Sequence, residues 1–124
     1  MIAGLGTDLV EVVRISAGME KSDEFREMIF SEAEIEYCES KTNKYEHYAA
    51  RFAAKEAFFK ALGTGWLAGT AFNEIEVINN EDGKPELFLL GETAETLAPM
   101  RITNILVSLT HVKAMASAVV IIEK

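Results

Sequence analysis

From about Asn43 to Leu62 the chain carries its longest helical signal, and no other segment restricts the fold as strongly. The stretch is rich in Ala, Glu, Lys and Phe, and Gly63 supplies the usual glycine stop after its last turn. Alanines and phenylalanines flank its charges on nearly every side, so little of such a helix is left to face water. The rest of the chain must wrap it. At 124 residues that rest amounts to one domain, 1–124, near the lower end of what sustains a core alone.

The flanking segments supply the wrapping. Ile2 to Leu9 has the pattern of a strand, with Gly4 and Gly6 leaving little bulk beside it. A helix is expected from about Glu11 to Glu20, and Ser22 can cap a short one reaching Phe30. Ser31 with Glu34 forms a capping box for a third. Gly63 to Gly69 is a glycine-rich loop. Phe72 to Ile78 and Glu86 to Leu90 are expected strands, joined by a turn at Asn79–Lys84. Glu92 to Ala98 suits a short helix ended by Pro99. Ile105, Val107 and Leu109 alternate with Leu106, Ser108 and Thr110, as in a half-buried strand. Ala116 to Ile121 is a strand apolar on both faces, and a tight connection at His111–Ala114 makes the last two strands an antiparallel pair. The expected class is α+β, a small antiparallel sheet packed against one long helix.

Charge and composition exclude several functions. The net charge is −8, from 12 basic and 20 acidic side chains, so non-specific binding to nucleic acid or an anionic membrane is disfavoured. Any anionic partner must meet a local basic patch. Cys38 is the only cysteine, which rules out an internal disulfide and a cysteine-based zinc site. The apolar run Ala118–Ile122 is far short of the roughly 20 residues a bilayer span needs. Met1–Gly4 has no basic region ahead of an apolar stretch, and a cytoplasmic protein is expected.

Three places carry residues suited to chemistry. Asp8 follows two glycines near the expected strand end, where a carboxylate serves either as a helix cap or as a metal ligand. On the long helix, spacing puts Phe52, Glu56 and Lys60 on one face and Arg51 beside Lys55 on the next. Three cations and one carboxylate on a mostly apolar helix suit a phosphate-and-metal site; a solvated face with ordinary ion pairs is the plainer alternative. The glycines after the helix could let backbone N–H groups approach a phosphate, although no Gly-Lys-Ser/Thr follows as in a Walker loop. His111, at a strand end, is either a turn residue or a donor to an anion. Ser108 and Thr110 share the opposite strand face and have no acidic neighbour, which argues against a hydrolytic triad.

Together these stretches resemble the holo-acyl-carrier-protein synthases, the small bacterial 4′-phosphopantetheinyl transferases. Three blocks carry the resemblance: Gly4-Leu5-Gly6-Thr7-Asp8-Leu9-Val10-Glu11 through Arg14-Ile15, Arg51-Phe52-Ala53-Ala54-Lys55-Glu56-Ala57 through Gly63-Thr64-Gly65, and Ser108-Leu109-Thr110-His111. It covers essentially the whole chain. It implies the fold of that family and transfer of phosphopantetheine from coenzyme A to a serine of apo-acyl carrier protein, in support of fatty acid biosynthesis. Adenosine 3′,5′-bisphosphate is the second product.

The resemblance also implies roles. Asp8 and Glu56 match magnesium ligands, and magnesium favours carboxylate and phosphate oxygens. Lys60 matches a contact to the pyrophosphate, and Glu56 a base for the serine hydroxyl. Arg51 and His111 are expected near the 3′-phosphate, Gly63, Thr64 and Gly65 beside the nucleotide, and Pro85 against the adenine. A homotrimer with active sites at subunit boundaries is implied. Arg14, Lys21 and Arg26 are the expected contacts to the acidic carrier, in a region where Glu20, Asp23, Glu24 and Glu27 dilute the basic charge. Ser-Leu-Thr-His stands where Ser-Ile-Ser-His is commoner in the family. The rival classes are a magnesium-dependent phosphodiesterase, disfavoured by the acidic balance, and a non-catalytic coenzyme A-binding module.

Overall fold

The computed structural model describes all 124 residues. In chain order the elements are β1 (Ile2–Glu11), α1 (Val12–Lys21), α2 (Asp23–Ile29), α3 (Glu32–Glu39), α4 (Lys44–Leu62), β2 (Ile75–Asn79), β3 (Pro85–Leu89), α5 (Gly91–Leu97), β4 (Asn104–His111) and β5 (Met115–Glu123). Strands β1, β5 and β4 form an antiparallel sheet in that order, and β2 with β3 forms a separate hairpin. The α+β class holds, with helix α4 laid across the three-stranded sheet.

The close fit of α4 on that sheet follows from small side chains on both sides. Ala50, Ala53, Ala54 and Ala57 of the helix are buried, as are Ala116, Ala118, Val120 and Ile122 of β5. On β1 the alternation of the strand turns Gly4 and Gly6 toward the helix. A Cβ at Gly6 would lie 2.0 Å from the Ala57 carbonyl oxygen, and one at Gly4 the same distance from that of Ala61. Helix backbone therefore rests directly on strand backbone, and the next residue of the same face, Asp8, is carried up against the flank of α4.

Most expected elements form where the sequence placed them, and the departures have local causes. β1 runs through Glu11, so Asp8 pairs with Ala118 inside the sheet rather than capping a helix. The capping reading of Asp8 is thus overturned; α1 begins at Val12 with no side-chain cap. Ser22 likewise precedes α2 without a side-chain cap bond, whereas the Ser31–Glu34 capping box is complete. Phe72–Glu74 forms a 3₁₀ turn before β2, and the Lys55 ammonium donates to the Phe72 and Ile75 carbonyls at its two ends. Gly63 adopts φ 78° and donates its N–H to the Phe59 and Lys60 carbonyls, ending α4 where expected.

The cations of α4 divide between two environments. Arg51 and Lys55 are 2% and 0% exposed and tie the helix to β2 and α3. The Lys55 ammonium donates to Glu34 Oε1 at 2.8 Å, and Glu34 also accepts the N–H groups of Ser31 and Val77, each at 2.9 Å. Burial presses the Lys55 ammonium toward its neutral form, against the opposing pull of Glu34. The guanidinium of Arg51 donates to the Val77 carbonyl at 3.3 Å and to Asn79 Oδ1 at 3.0 Å, and stacks on Tyr37. Three cations gathered at one phosphate-and-metal site is therefore corrected: two of them are internal struts, and Glu34 is the buried hub that answers one.

Candidate active site

Asp8, Glu56 and Lys60 meet where β1 passes beneath α4. Residues four apart on a helix lie one above the other, so Glu56 and Lys60 present one edge of α4 to the strand. The Lys60 ammonium lies 3.0 Å from Asp8 Oδ1; Asp8 is 15% exposed and Lys60 56%. Asp8 and Glu56 line one pocket of about 330 Å³, together with Leu9, Val10, Arg14, Ile15, Phe25 and Phe52. Burial pushes the Glu56 carboxyl above its ordinary value, the negative charge of Asp8 adds to this, and Lys60 opposes it. Two carboxylates thus share one pocket whose lining includes the apolar Phe25 and Phe52, and an exposed ammonium pairs with one of them.

The other expected residues distribute as follows. Gly63, Thr64 and Gly65 continue from the Lys60 end of α4 as an exposed loop with positive φ at both glycines. Arg14 lines the Asp8–Glu56 pocket itself, and Lys21 is exposed at the end of α1. Arg26 turns elsewhere: its guanidinium lies 3.9 Å from both Asp23 and Glu39, and it lines a different depression with Glu32, Glu36 and Glu74. Pro85 opens β3 and lines a groove of about 650 Å³ between β3 and β4.

His111 occupies the opposite margin of the sheet. It faces the helix side, as Asp8 does, but on β4, with β5 between them and α4 lying over that middle strand. Two strand spacings put the two side chains' strands roughly 10 Å apart. Its Nδ1 meets Glu46 Oε1 at 2.9 Å, and its ring stands edge to face with His47. The hydrogen bond to His111 holds the Glu46 carboxyl below its ordinary value. Arg51, expected beside His111 at a phosphate, is directed into β2 instead. Glu46, His47 and Tyr37 were not singled out from sequence; the only available signal was that Glu46 and His47 begin the helix whose later turns carry Glu56 and Lys60.

Both the fold and its blocks have counterparts among known proteins. The family model described as the 4′-phosphopantetheinyl transferase superfamily matches residues 4–110. A holo-[acyl-carrier-protein] synthase from Solibacter usitatus is 48% identical over 124 residues, covering 99% of each chain. The crystal structure of a holo-[acyl-carrier-protein] synthase from Neisseria meningitidis superposes with a TM-score of 0.91 at 33% identity, covering both chains completely. That of the Bacillus anthracis enzyme, in complex with CoA (3′,5′-ADP), gives a TM-score of 0.82 at 35% identity over 100% of this chain and 98% of that one. With the match spanning nearly all of β1 through β4 and the same fold recurring over full length, the chain belongs to the holo-[acyl-carrier-protein] synthases of the 4′-phosphopantetheinyl transferase superfamily.

Proposed function

We propose that this chain moves phosphopantetheine from coenzyme A to a serine of apo-acyl carrier protein at the Asp8–Glu56–Lys60 mouth, with magnesium held by the two carboxylates. The observation that carries this reading is their convergence on one pocket from β1 and α4, separated by more than forty residues of sequence. Asp8 and Glu56 fit a hard divalent ion: both offer carboxylate oxygens, and the mutual repulsion already expressed at Glu56 is what such an ion relieves. When bound, magnesium supplies neutralising charge for the pyrophosphate.

The chain's own residues supply the rest. Lys60 is exposed enough to exchange its bond to Asp8 for one to a pyrophosphate oxygen. Glu56 accepts the proton of the incoming serine hydroxyl, its half-buried carboxylate standing beside Asp8 in the pocket lining. The serine oxygen then bonds to the β-phosphorus, the bond from that phosphorus to the bridging oxygen breaks, and adenosine 3′,5′-bisphosphate departs. Gly63, Thr64 and Gly65 lie beside the nucleotide, and Pro85 against the adenine. Arg14, at the pocket rim, and Lys21 meet the acidic carrier; Arg26 contributes less because Glu39 and Asp23 already engage it.

A homotrimer completes the site. Within one chain the Asp8 pocket and His111 lie at opposite sheet margins with α4 over the strand between them, so a nucleotide bound at Asp8 is expected to take its His111 contact from a neighbour. The sheet face turned away from α4 supports this: Leu5, Leu9, Leu106 and Val119 are exposed there in adjoining rows. The test is the intact mass of apo-acyl carrier protein after incubation with enzyme, coenzyme A and magnesium, with nucleic acid in a parallel tube. A mass gain of one phosphopantetheine, lost by at least about a hundredfold in rate in Asp8→Asn, is expected; degraded nucleic acid or an unmodified carrier contradicts the proposal.

A further inference from the structure

The N-terminal turn of α4 holds a second cluster of titratable groups that the transfer step does not use. His47 lies half-buried with its ring centroid 4.9 Å from that of His111 and 5.7 Å from that of Tyr37, both edge to face. Tyr37 in turn carries two cations, Lys41 at 4.8 Å and Arg51 at 4.3 Å from its ring centre. Glu46 is the one carboxylate here, and it binds His111 Nδ1. The groups that act on His47 therefore come from α3 and the turn after it, from α4 and from β4: Tyr37, Lys41, Glu46, Arg51 and His111.

These contacts order the protons. An ionised carboxylate only accepts hydrogen bonds, so the Glu46 contact places a proton on Nδ1 of His111. Nε2 of the same ring can then donate to an anion only when the imidazole is doubly protonated. His47 stays neutral beside it, held there first by burial and then by the positive charges of His111, Arg51 and Lys41, with Glu46 opposing.

We propose that His47 is a positioning residue for recognition of a ribose phosphate monoester: it seats the His111 ring edge to face and takes up a proton when a phosphate dianion binds against that ring. The proposal rests on the nucleotide placement given above for His111, and it adds a proton-linked preference for coenzyme A carrying its 3′-phosphate. A dianion beside the pair offsets the repulsion that adds to burial in keeping the second imidazole neutral. Binding therefore tightens as pH falls through the histidine range, and His47 accounts for part of that slope.

The experiment titrates adenosine 3′,5′-bisphosphate and, separately, adenosine 5′-monophosphate into the full-length protein from pH 6 to pH 8 by calorimetry. The ligands' own phosphate titration cancels when wild type is compared with His47→Phe, which keeps an aromatic ring at the His111 contact. For wild type, preference for the bisphosphate is expected to weaken by roughly tenfold across that range, and His47→Phe to cut the change to about threefold or less. Identical pH profiles in the two proteins overturn the role of His47. Equal affinity of wild type for both nucleotides at every pH overturns it together with the placement of His111. Transfer to apo-carrier by the same preparations reports the parent reaction separately, so a protein that transfers without this linkage sinks only the proposal.

Discussion

Glu56 is the residue at which stability and the proposed activity are expected to pull apart. Its carboxyl is pushed above the ordinary range by burial and by Asp8, so the folded state binds its proton more tightly than the unfolded chain does. An acid with a raised folded-state value contributes stability below its ordinary value and loses it as pH rises from there through the raised folded-state value. In metal-free protein at neutral pH, Glu56→Gln is therefore expected to raise the melting temperature by a few degrees while abolishing transfer. Scanning calorimetry in chelator checks this, and an unchanged or lower melting temperature contradicts it. The same shift predicts that turnover falls at a higher pH than an unperturbed glutamate would give, and that saturating magnesium moves the fall downward.

Among the elements, the proposed site depends on how closely β1 approaches α4. Gly6→Ala drives a methyl group into the Ala57 carbonyl, which is backbone and cannot swing aside. The expected cost is about 3 kcal/mol, or roughly 10 °C in melting temperature, with transfer reduced because Asp8 moves away from Glu56 and Lys60. Urea unfolding and a transfer assay on the same preparation check this; wild-type stability would show that the strand need not touch the helix. The contact also explains what was legible in the sequence. Gly4, Gly6 and Asp8 alternate along one face, and Glu56 with Lys60 lies four residues apart, so the two halves of the site follow from local spacing. The fate of Arg51 and Lys55 does not. Their face of α4 is fixed by β2 and α3, through Ile75, Val77, Asn79 and Glu34, and those contacts span between 20 and 43 residues of sequence in ways no local period reveals. The strand end near Asp8 was misplaced for a similar reason: pairing with β5, far along the chain, carries β1 on to Glu11.

For the whole molecule, the proposed assembly rests on the opposite margins occupied by Asp8 and His111 and on the apolar outer face of the sheet. Val119 sits mid-sheet on that face, between Thr7 and Ser108, and is 38% exposed in the single chain. Val119→Asp is expected to give a folded monomer by sedimentation, with transfer reduced by at least about tenfold; an assembly and rate equal to wild type contradict the shared site. The charge balance belongs to this scale as well. Because the net charge is −8, the proposed contact to an acidic carrier needs locally gathered cations, and Arg14 lines the Asp8–Glu56 pocket where that contact is proposed.

Asp8 and Glu56 are proposed to share one divalent cation, and direct titration tests this without recourse to turnover. Manganese, followed by its electron paramagnetic resonance signal in the presence of coenzyme A, is expected to bind at one site per chain in wild type. Asp8→Asn and Glu56→Gln should each weaken that binding by about tenfold or more. Wild-type affinity in both variants would mean that the two carboxylates do not hold the ion.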